Sequence, residues 1–324
     1  MKTETSKRII GYIKSKKQAS LKELMDYLGF SQQALSRQLK RLVEEGQLSK
    51  TGRPPKVFYF LTETKKPEEK IAIDPKLKEI LDDRFLLITP RGEMEEGSKG
   101  FTHWCADRNL PVEKTASEYV RTLKKYDAFR KDGLIDGMKK MKSTFKEVGL
   151  DRLYYLDFYS IERFGKTRLG QMLLYAKQSQ NRAFMKALIR LIKPAIERLI
   201  RRYKIDAVGF IPPTVKREVQ FMKELQKHLG LSLPIISIVK AKTPIIVPQK
   251  TLSKLEDRVE NARHTLIVDE TQKYSHILLI DDAVGSGATL NETAAQIKFR
   301  LSAHSITGLA ITGSFKGFDV ISEV

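Results

Sequence analysis

The chain has 324 residues, 41% of them hydrophobic, and a formal net charge of +20 at pH 7. It is long enough for about two domains, and no apolar run reaches the roughly 18 residues that a membrane span needs. Residues 1–17 lack the apolar core of a secretory signal, and the single cysteine, Cys105, excludes a disulfide framework and a cysteine-based zinc site.

These exclusions predict a cytoplasmic protein with no membrane partner. The 59 Lys and Arg residues against 39 Asp and Glu residues favour a polyanionic partner such as nucleic acid, although a generally basic proteome would give the same excess. Residues 1–65 hold 14 of the cations and 6 of the acids. This enrichment points to a nucleic-acid surface near the N-terminus.

Three short helices are predicted at the N-terminus. The first, residues 5–18, has three isoleucines on one face. Ser20 and Glu23 form a capping-box pattern that begins the second helix, and Ser31 caps the third. In the third helix the inward positions are Leu and Val, so its polar and basic residues lie on the outer face.

Two strands, Leu48–Lys50 and Val57–Leu61, are predicted next, around the turn at residues 51–56. Three helices followed by a hairpin with a basic tip resemble the winged helix-turn-helix of bacterial regulators over residues 5–62. In that family the third helix enters the major groove of double-stranded DNA. The resemblance implies base contacts by Gln32, Gln33, Ser36 and Arg37, and phosphate contacts by Lys40, Arg53 and Lys56.

The same resemblance leaves an alternative open, because winged helices also serve as protein-contact modules. A basic, amide-rich outer face favours DNA. Helix-turn-helix proteins commonly bind two half-sites, so we expect a homodimer.

The middle of the chain is less informative. Residues 63–76 are polar and contain two prolines, which is typical of a linker. Residues 77–150 predict a helical connector, with one helix around Tyr119 and another running from Ile135 to Phe145. His103 and Cys105 lie close together without further metal ligands nearby, which favours packing over a site.

Strands alternate with helices from about residue 151 onward. A helix over residues 183–200 is expected to be kinked or split at Pro194. Its outer face is basic, which is typical of a solvated surface and has a secondary DNA contact as the alternative: Arg182, Lys186, Arg190, Lys193, Arg198, Arg201 and Arg202. Further elements are predicted in the order strand 207–211, helix 218–229, strand 235–239, strand 277–280, helix 291–297 and strand 304–312. This alternation predicts a parallel sheet that binds its ligand at the carboxyl ends of the strands.

The most informative stretch runs from Ile277 to Leu290. Four apolar residues predict a buried strand, and Asp281 and Asp282, the acidic pair, follow where that strand is expected to end. Residues 285–289, the phosphate loop, are small or carry hydroxyl groups and precede a helix. Free backbone N–H groups and the helix dipole bind phosphate at such a loop, and carboxylates beside it can accept hydrogen bonds from ribose hydroxyls.

This arrangement resembles the phosphoribosyl-pyrophosphate (PRPP) motif of type I phosphoribosyltransferases. The resemblance implies that Asp281 and Asp282 hold the ribose, and that the 5′-phosphate is held by Gly285, Ser286, Gly287, Ala288 and Thr289. Gly285 departs from the Thr, Ser or small apolar residue usual at its position. PRPP normally binds with Mg²⁺, so the implied cofactor is Mg²⁺ held together with PRPP rather than by protein side chains alone.

Residues 165–315 further resemble the branch of this superfamily typified by the competence protein ComF. The long segment between residues 240 and 275 contains the matching Gln249, Arg258 and Asn261. Lys216 and Arg217 are candidates for pyrophosphate contacts. The zinc ribbon of that branch is absent. The branch usually also has an Arg-Gly-Phe-Asn-Gln-like stretch after the first strand, and this sequence keeps only Arg217 and an amide of it.

The resemblances together predict an α/β protein with a parallel-sheet type I phosphoribosyltransferase fold, an N-terminal winged helix-turn-helix domain and a helical connector. The predicted boundaries are 1–63, 64–150 and 151–324. We expect a DNA-binding transcriptional regulator whose second domain binds PRPP or a nucleotide. An active phosphoribosyltransferase of nucleotide metabolism and a ComF-like protein that handles DNA in competence or repair are the alternatives.

Overall fold

The structure of the protein is a computed structural model, and it describes residues 2–53, 56–62, 73–89, 91–213, 215, 217–241 and 254–315. The chain divides into two compact units, Met1–Ile71 and Ala72–Val324. The three-part division predicted from the sequence stays a prediction.

The first unit has three helices and a small antiparallel sheet of order β1-β3-β2. Its elements are α1 (Lys2–Lys16), β1 (Ala19–Ser20), α2 (Leu21–Leu28), α3 (Gln32–Glu44), β2 (Leu48–Arg53) and β3 (Lys56–Leu61). The capping box at α2 is confirmed, since the Ser20 hydroxyl accepts from the Glu23 N–H and the Glu23 carboxylate accepts from the Ser20 N–H. The hairpin is longer than predicted because pairing of β2 with β3 continues to Arg53 and Lys56.

The second unit begins with a helical region that also contributes strands. Its first elements are α4 (Pro75–Arg84), β4 (Leu86–Ile88), β5 (Met94–Glu96), α5 (Gly97–Ala106), α6 (Val112–Asp127), β6 (Arg130–Lys131), β7 (Leu134–Asp136) and α7 (Met138–Thr144). The helix predicted from Ile135 to Phe145 is wrong in its first part, because Ile135 lies in β7 and pairs with Tyr155.

The rest of the unit alternates strands and helices. These elements are β8 (Arg152–Phe158), β9 (Ser160–Ile161), a 3-10 turn (Glu162–Phe164), β10 (Gly165–Lys166), α8 (Arg168–Ser179), α9 (Arg182–Arg202), β11 (Ala207–Phe210), α10 (Phe221–Leu229), β12 (Ile235–Ile236), β13 (Ile238–Lys240), α11 (Leu255–Thr265), β14 (Leu266–Val268), β15 (His276–Val284), α12 (Ala288–Leu301) and β16 (Ser305–Gly313). Helix α9 runs through Pro194 as one element. The single strand predicted at 235–239 is two short strands, of which β13 pairs with β14 outside the main sheet.

Seven strands form the main sheet, in the order β12-β11-β15-β16-β8-β7-β6. The first five are parallel to one another, and β7 and β6 are antiparallel additions at one edge. The predicted mixed α/β architecture with a mostly parallel sheet is therefore confirmed. Among the described residues, no helix is long and apolar enough to cross a membrane.

Alternate residues of the central strand β15 pack into two different cores. Ile277 and Leu279 belong to the core that contains residues of α4, α5, α6, α7 and α12. Leu278 and Ile280 belong to the core that contains residues of α8, α9 and α10. Both faces of β15 are thus covered by helices, which explains why its sequence is a continuous apolar run.

Candidate functional site

The acidic pair lies at the carboxyl edge of the main sheet. The sequence predicted that this strand ends before Asp281. In the structure β15 continues to Val284, because it stays paired with β16 up to Gly313. On its other side, the pairing with β11 ends at Ile280. The acidic pair therefore extends one step beyond the neighbouring strand, where a ligand at the sheet edge can reach it.

The alternation of β15 directs the two carboxylates to opposite faces of the sheet. Asp281 continues the series of Ile277 and Leu279, which pack with α12, whereas Asp282 continues the series that packs with α8 and α9. The Asp281 carboxylate accepts a hydrogen bond of 2.8 Å from the Asp282 N–H. The two acids therefore cannot act as one bidentate group, and each serves its own side of the site.

Burial of Asp281 and the neighbouring charge of Asp282 raise the pKa of the Asp281 carboxyl well above its usual value near 3.8. The hydrogen bond from Asp282 and the positive charge of Lys177 oppose this shift only in part. When protonated, the Asp281 carboxyl can donate one hydrogen bond, whereas the carboxylate only accepts. A ligand that offers a hydrogen-bond donor or a positive charge would therefore favour the ionised form.

Lys177 on α8 is the direct partner of Asp282. The Lys177 Nζ lies 2.8 Å from Asp282 Oδ2, and the two side chains are only 13% and 17% exposed. The site thus holds a mostly buried cation that the sequence did not point to. Asp281, Asp282 and Lys177 thus lie together where the sequence predicts that ribose binds.

The phosphate loop is shorter than predicted because α12 begins at Ala288, three residues earlier than expected. Gly285, Ser286 and Gly287 form the loop, and Ala288 and Thr289 form the first turn of α12. Gly287 has no side chain to cap the helix and adopts φ +81°, in the left-handed region. The Ser286 hydroxyl accepts from the Ala288 N–H at 3.3 Å. The start of α12 therefore has the properties of an anion site.

Helix α7 covers this loop. A Cβ built on Gly287 would lie 2.6 Å from the Met141 sulfur and 3.7 Å from the Phe145 ring. The Asn291 amide fixes the chain after α7, since it accepts from the Gly149 N–H at 2.9 Å and donates to the Glu147 carbonyl at 3.1 Å. The region predicted as a connector thus forms part of the loop's surroundings.

A second cation, Lys140, lies near the phosphate loop. The Lys140 Nζ on α7 donates to the carbonyl of Ser314, and the Ser314 N–H donates to the Val284 carbonyl at 3.4 Å. Val284 directly precedes Gly285. Lys140 therefore adds positive charge close to the phosphate loop.

The loop after β11 lies beside the acidic pair. The Ile211 N–H donates to the Ile280 carbonyl at 2.9 Å, so residues from Pro212 onward leave the sheet next to Asp281. Arg217 is half-buried, and Gln220 donates to its carbonyl at 3.2 Å. Lys216 lies outside the described residues. The loop is at the expected edge, but the predicted pyrophosphate contacts stay a prediction.

Two of the ComF-like candidates lie on α11, which packs against α12. Arg258 is buried, which lowers the pKa of its guanidinium, and the Asn261 side-chain nitrogen is buried without a hydrogen-bond partner in the part of the chain that the structure describes. Gln249 lies outside the described residues.

The direction of α11 follows from its contacts with α12. Arg263 binds Glu292 at 3.1 Å, and Gln296, one turn further along α12, donates to Leu266 at 3.0 Å. The chain after Arg263 therefore runs toward the C-terminal end of α12, and the residues before it, Arg258 and Asn261, lie toward the phosphate-loop end.

Cys105 and His103, whose side chains could in principle bind a metal or act as nucleophiles, are instead packed or paired within the second unit. Cys105 is fully buried, which raises the pKa of its thiol to about 11, and His103 binds Glu95 at 2.6 Å. The described residues contain no cluster of three His, Cys, Asp or Glu side chains able to hold a metal. At the carboxyl end of β8, Arg130 binds Asp157 at 2.6 Å, and nearby Arg84 binds Asp127 at 2.9 Å, so these four charges are paired within the protein.

In the first unit, α3 presents the predicted DNA-reading residues to solvent. Leu35, Leu39 and Leu42 are fully buried, which fixes the orientation of the helix. The opposite face carries the exposed residues Gln32, Gln33, Ser36, Arg37 and Lys40. Lys40 makes an exposed ion pair of 3.8 Å with Glu44, an interaction weak enough to be exchanged for a phosphate.

The wing is the β2–β3 hairpin. Arg53 and Lys56 lie at its tip, as the sequence predicted, but they are paired in the strands rather than placed in the turn. Their side chains lie outside the described part of the structure, so their phosphate contacts stay a prediction.

Comparison with known proteins gives a family match for the first unit but not for the second. Residues 2–48 match the winged helix-turn-helix DNA-binding family. A crystal structure of a hypoxanthine phosphoribosyltransferase from Staphylococcus aureus aligns with 55% of this chain and 72% of its own, at 14% sequence identity and a TM-score of 0.26. A TM-score this low assigns neither a fold nor a function. No curated protein matches the sequence.

The family match thus falls largely within residues 5–62, where the sequence predicted a winged helix-turn-helix. Lys177, Lys140 and Met141 were missed. They reach the site from α8 and α7 through tertiary packing, and no local pattern marks them.

Proposed function

We propose that the protein is a DNA-binding transcriptional regulator whose second unit binds PRPP or a related nucleotide. The observation that carries the proposal is the exposed outer face of α3, within the region that matches a DNA-binding family. The second unit has no comparable match, so its ligand is proposed from the chemistry of its residues alone.

The chemistry of α3 supports sequence-dependent contact. Gln32 and Gln33 lie at the start of α3, the part of a recognition helix that contacts base edges. A glutamine amide can form two hydrogen bonds with the edge of an adenine. Arg37 can bind guanine in the same bidentate way. Lys40, one turn later, suits a phosphate.

The chemistry of the sheet edge supports a phosphorylated sugar. The start of α12 offers backbone N–H groups, and Lys140 adds a positive charge near them. The acidic pair supplies acceptors for sugar hydroxyls. No described cluster of side chains can hold a metal by itself, so Mg²⁺ would be bound mainly by phosphate oxygens and water, with at most a carboxylate from the acidic pair.

For PRPP to regulate DNA binding, it must bind two states of the protein with different affinities, and these states must also differ in their affinity for DNA. Two half-sites would require two copies of the chain, so a homodimer belongs to the proposal.

Thermal unfolding with Mg²⁺ and PRPP tests the ligand site. PRPP at about 100 times its dissociation constant should stabilise the second unit by roughly 2.7 kcal/mol, or about 8 °C in Tm. The double variant Asp281→Ala/Asp282→Ala should lose this shift. A wild-type protein that shows no shift at millimolar PRPP would limit the proposal to DNA binding.

Fluorescence anisotropy with a set of duplexes tests the DNA site. In Gln33→Ala/Arg37→Ala, the difference in affinity between preferred and other duplexes should become smaller. Arg8→Ala, which removes an exposed cation from α1, should keep the wild-type preference. A wild type without sequence preference would favour general handling of DNA, and release of pyrophosphate with an added nucleobase would favour the phosphoribosyltransferase alternative.

A further inference from the structure

Helix α9 presents a strongly basic surface on the second unit. Its 21 residues contain seven Lys and Arg residues and one acid, Glu197. The apolar side of the helix is fixed in the core by fully buried residues such as Leu188 and Ile196. The cations are therefore held outward by the fold and cannot rotate away from solvent.

Part of this charge is compensated within the protein. Arg182 lies 3.5 Å from Glu224, Lys193 lies 3.8 Å from Glu197, and Arg202 lies 3.3 Å from Asp132. Four further cations are exposed and have no ion pair with any described residue, and we call them the basic face: Lys186, Arg190, Arg198 and Arg201.

The spacing of these charges is unfavourable for a helix that is only solvated. Within the basic face, Lys186 and Arg190 are four residues apart and Arg198 and Arg201 are three apart, spacings at which like charges on a helix repel each other. A solvated helix would usually place an acid at one of these positions. An anionic partner that lies along the helix would remove the repulsion.

The basic face also has the length and donor chemistry for a polyanion. Lys186 and Arg201 are 15 residues apart, or about 22 Å along the helix. Duplex DNA carries about 13 phosphate charges over that length. Three of the four residues are arginines, whose guanidinium groups bind phosphate in a bidentate way.

We propose that the basic face of α9 is a second DNA contact, which binds the phosphate backbone of duplex DNA without regard to sequence. It rests on DNA being the partner of the protein, but it requires neither the base contacts of α3 nor the PRPP site. The face would add affinity, and α3 would add sequence preference.

The test compares two charge-matched variants of the full chain. Lys186→Gln/Arg190→Gln neutralises half of the basic face. Lys114→Gln/Arg121→Gln removes the same charges from exposed positions on α6, whose core lies on the other side of the sheet. DNA affinity is measured by anisotropy between 50 and 200 mM salt, on a preferred and a random duplex.

If both residues contact phosphates, the slope of log K against log salt should become shallower by about 1.8 for the α9 variant. Its affinity deficit relative to wild type should then shrink about tenfold across the salt range, equally for both duplexes. The α6 variant should follow the wild type. The Tm of the α9 variant should equal or exceed that of the wild type, which shows that lost binding is not lost folding.

An α9 variant that binds DNA like the α6 variant would overturn the inference and leave the face as solvated surface. So would unchanged DNA binding together with lost binding to vesicles of phosphatidylserine and phosphatidylcholine, which would assign the face to a membrane surface. If Gln33→Ala/Arg37→Ala binds DNA normally while the α9 variant does not, the role of α3 fails and the role of α9 stands.

Discussion

Asp281, Asp282 and Lys177 form a charged group that the fold alone does not require. Two adjacent acids at a buried sheet edge repel each other, and Lys177 binds Asp282 directly but not Asp281. Placing charge where it destabilises the folded state is a property of functional sites, where activity is retained at some cost in stability. The pH dependence of stability should reveal this cost directly.

Asp281→Asn should stabilise the second unit at neutral and higher pH. Because the pKa of Asp281 is raised in the folded state, the folded protein binds more protons than the unfolded chain above about pH 4, and stability falls as pH rises through the raised pKa. Asparagine cannot ionise, yet its amide oxygen can still accept from the Asp282 N–H. We expect Tm to rise by about 3 °C at pH 8, which corresponds to about 1 kcal/mol.

The gain should shrink as the pH is lowered toward about 4 and approach zero below that pH, where the wild-type carboxyl is protonated in the folded and the unfolded state. Asp206→Asn is the control at a half-buried acid on the amino side of the sheet, which accepts from the Ser275 and His276 N–H groups. It should lower Tm instead. A variant at 281 that is less stable than wild type at pH 8 would show that the acidic pair is not strained.

Lys177→Met should destabilise the second unit, because it leaves the Asp282 carboxylate without its cation. The expected loss is about 2 kcal/mol, less than for a fully buried pair since 17% of the Asp282 side chain is exposed. The double variant Lys177→Met/Asp282→Asn should recover most of it. Urea unfolding of the wild type, of Lys177→Met, of Asp282→Asn and of the double variant gives the coupling energy, and a value near zero would mean that the contact contributes nothing to stability.

At the scale of elements, the phosphate loop depends on α7 as much as on β15 and α12. Gly287 is left-handed, and Met141 fills the space where a side chain would go. Two sets of hydrogen bonds hold the short helix α7 in place. Lys140 donates to the Ser314 carbonyl, and the Asn291 amide binds the backbone of residues 147 and 149, which follow the helix. The conformation of three loop residues is thus set by an element that lies about 150 residues earlier in the chain.

Gly287→Ala should therefore lose both stability and PRPP binding. A left-handed alanine costs about 1 kcal/mol, and contact with the buried Met141 adds a similar amount. In Gly287→Ala/Met141→Ala, the contact is removed but the backbone strain remains and Met141 leaves a cavity, so PRPP binding should return only in part. Isothermal calorimetry measures the binding, and an alanine variant that binds PRPP like the wild type would contradict this account of the loop.

The sequence predicted the elements whose signals are local. The apolar run before Asp281, the small residues of the phosphate loop and the Leu spacing of α3 each determine a structure within about ten residues. The prediction failed at Ile135. Its spacing from the following apolar residues suggested a helix, but Ile135 lies in a three-residue strand at the edge of the sheet. Lys177 could not be predicted because its contact with Asp282 spans 105 residues and depends on how α8 packs on the sheet.

At the scale of the whole molecule, a unit that contains a match to a DNA-binding family is joined to a second unit for which we propose a phosphorylated-sugar ligand. Its net charge of +20 and the basic face of α9 favour DNA as a partner of the full chain rather than of the first unit alone. If the chain is a regulator, binding at one unit must change the free energy of binding at the other.

This coupling is the most general prediction. In the full chain, saturating PRPP with Mg²⁺ should change the Kd for DNA by about 5- to 150-fold, the range of typical allosteric couplings. Saturating DNA must then change the Kd for PRPP by the same factor, because the two effects close one thermodynamic cycle. Anisotropy measures the first factor and calorimetry the second, at one salt concentration, since DNA affinity depends strongly on salt. Asp281→Ala/Asp282→Ala should bind DNA with an affinity that PRPP no longer alters. If wild-type protein binds both ligands and each factor equals one, the two units act independently, and the second unit is better explained as an enzyme than as a sensor.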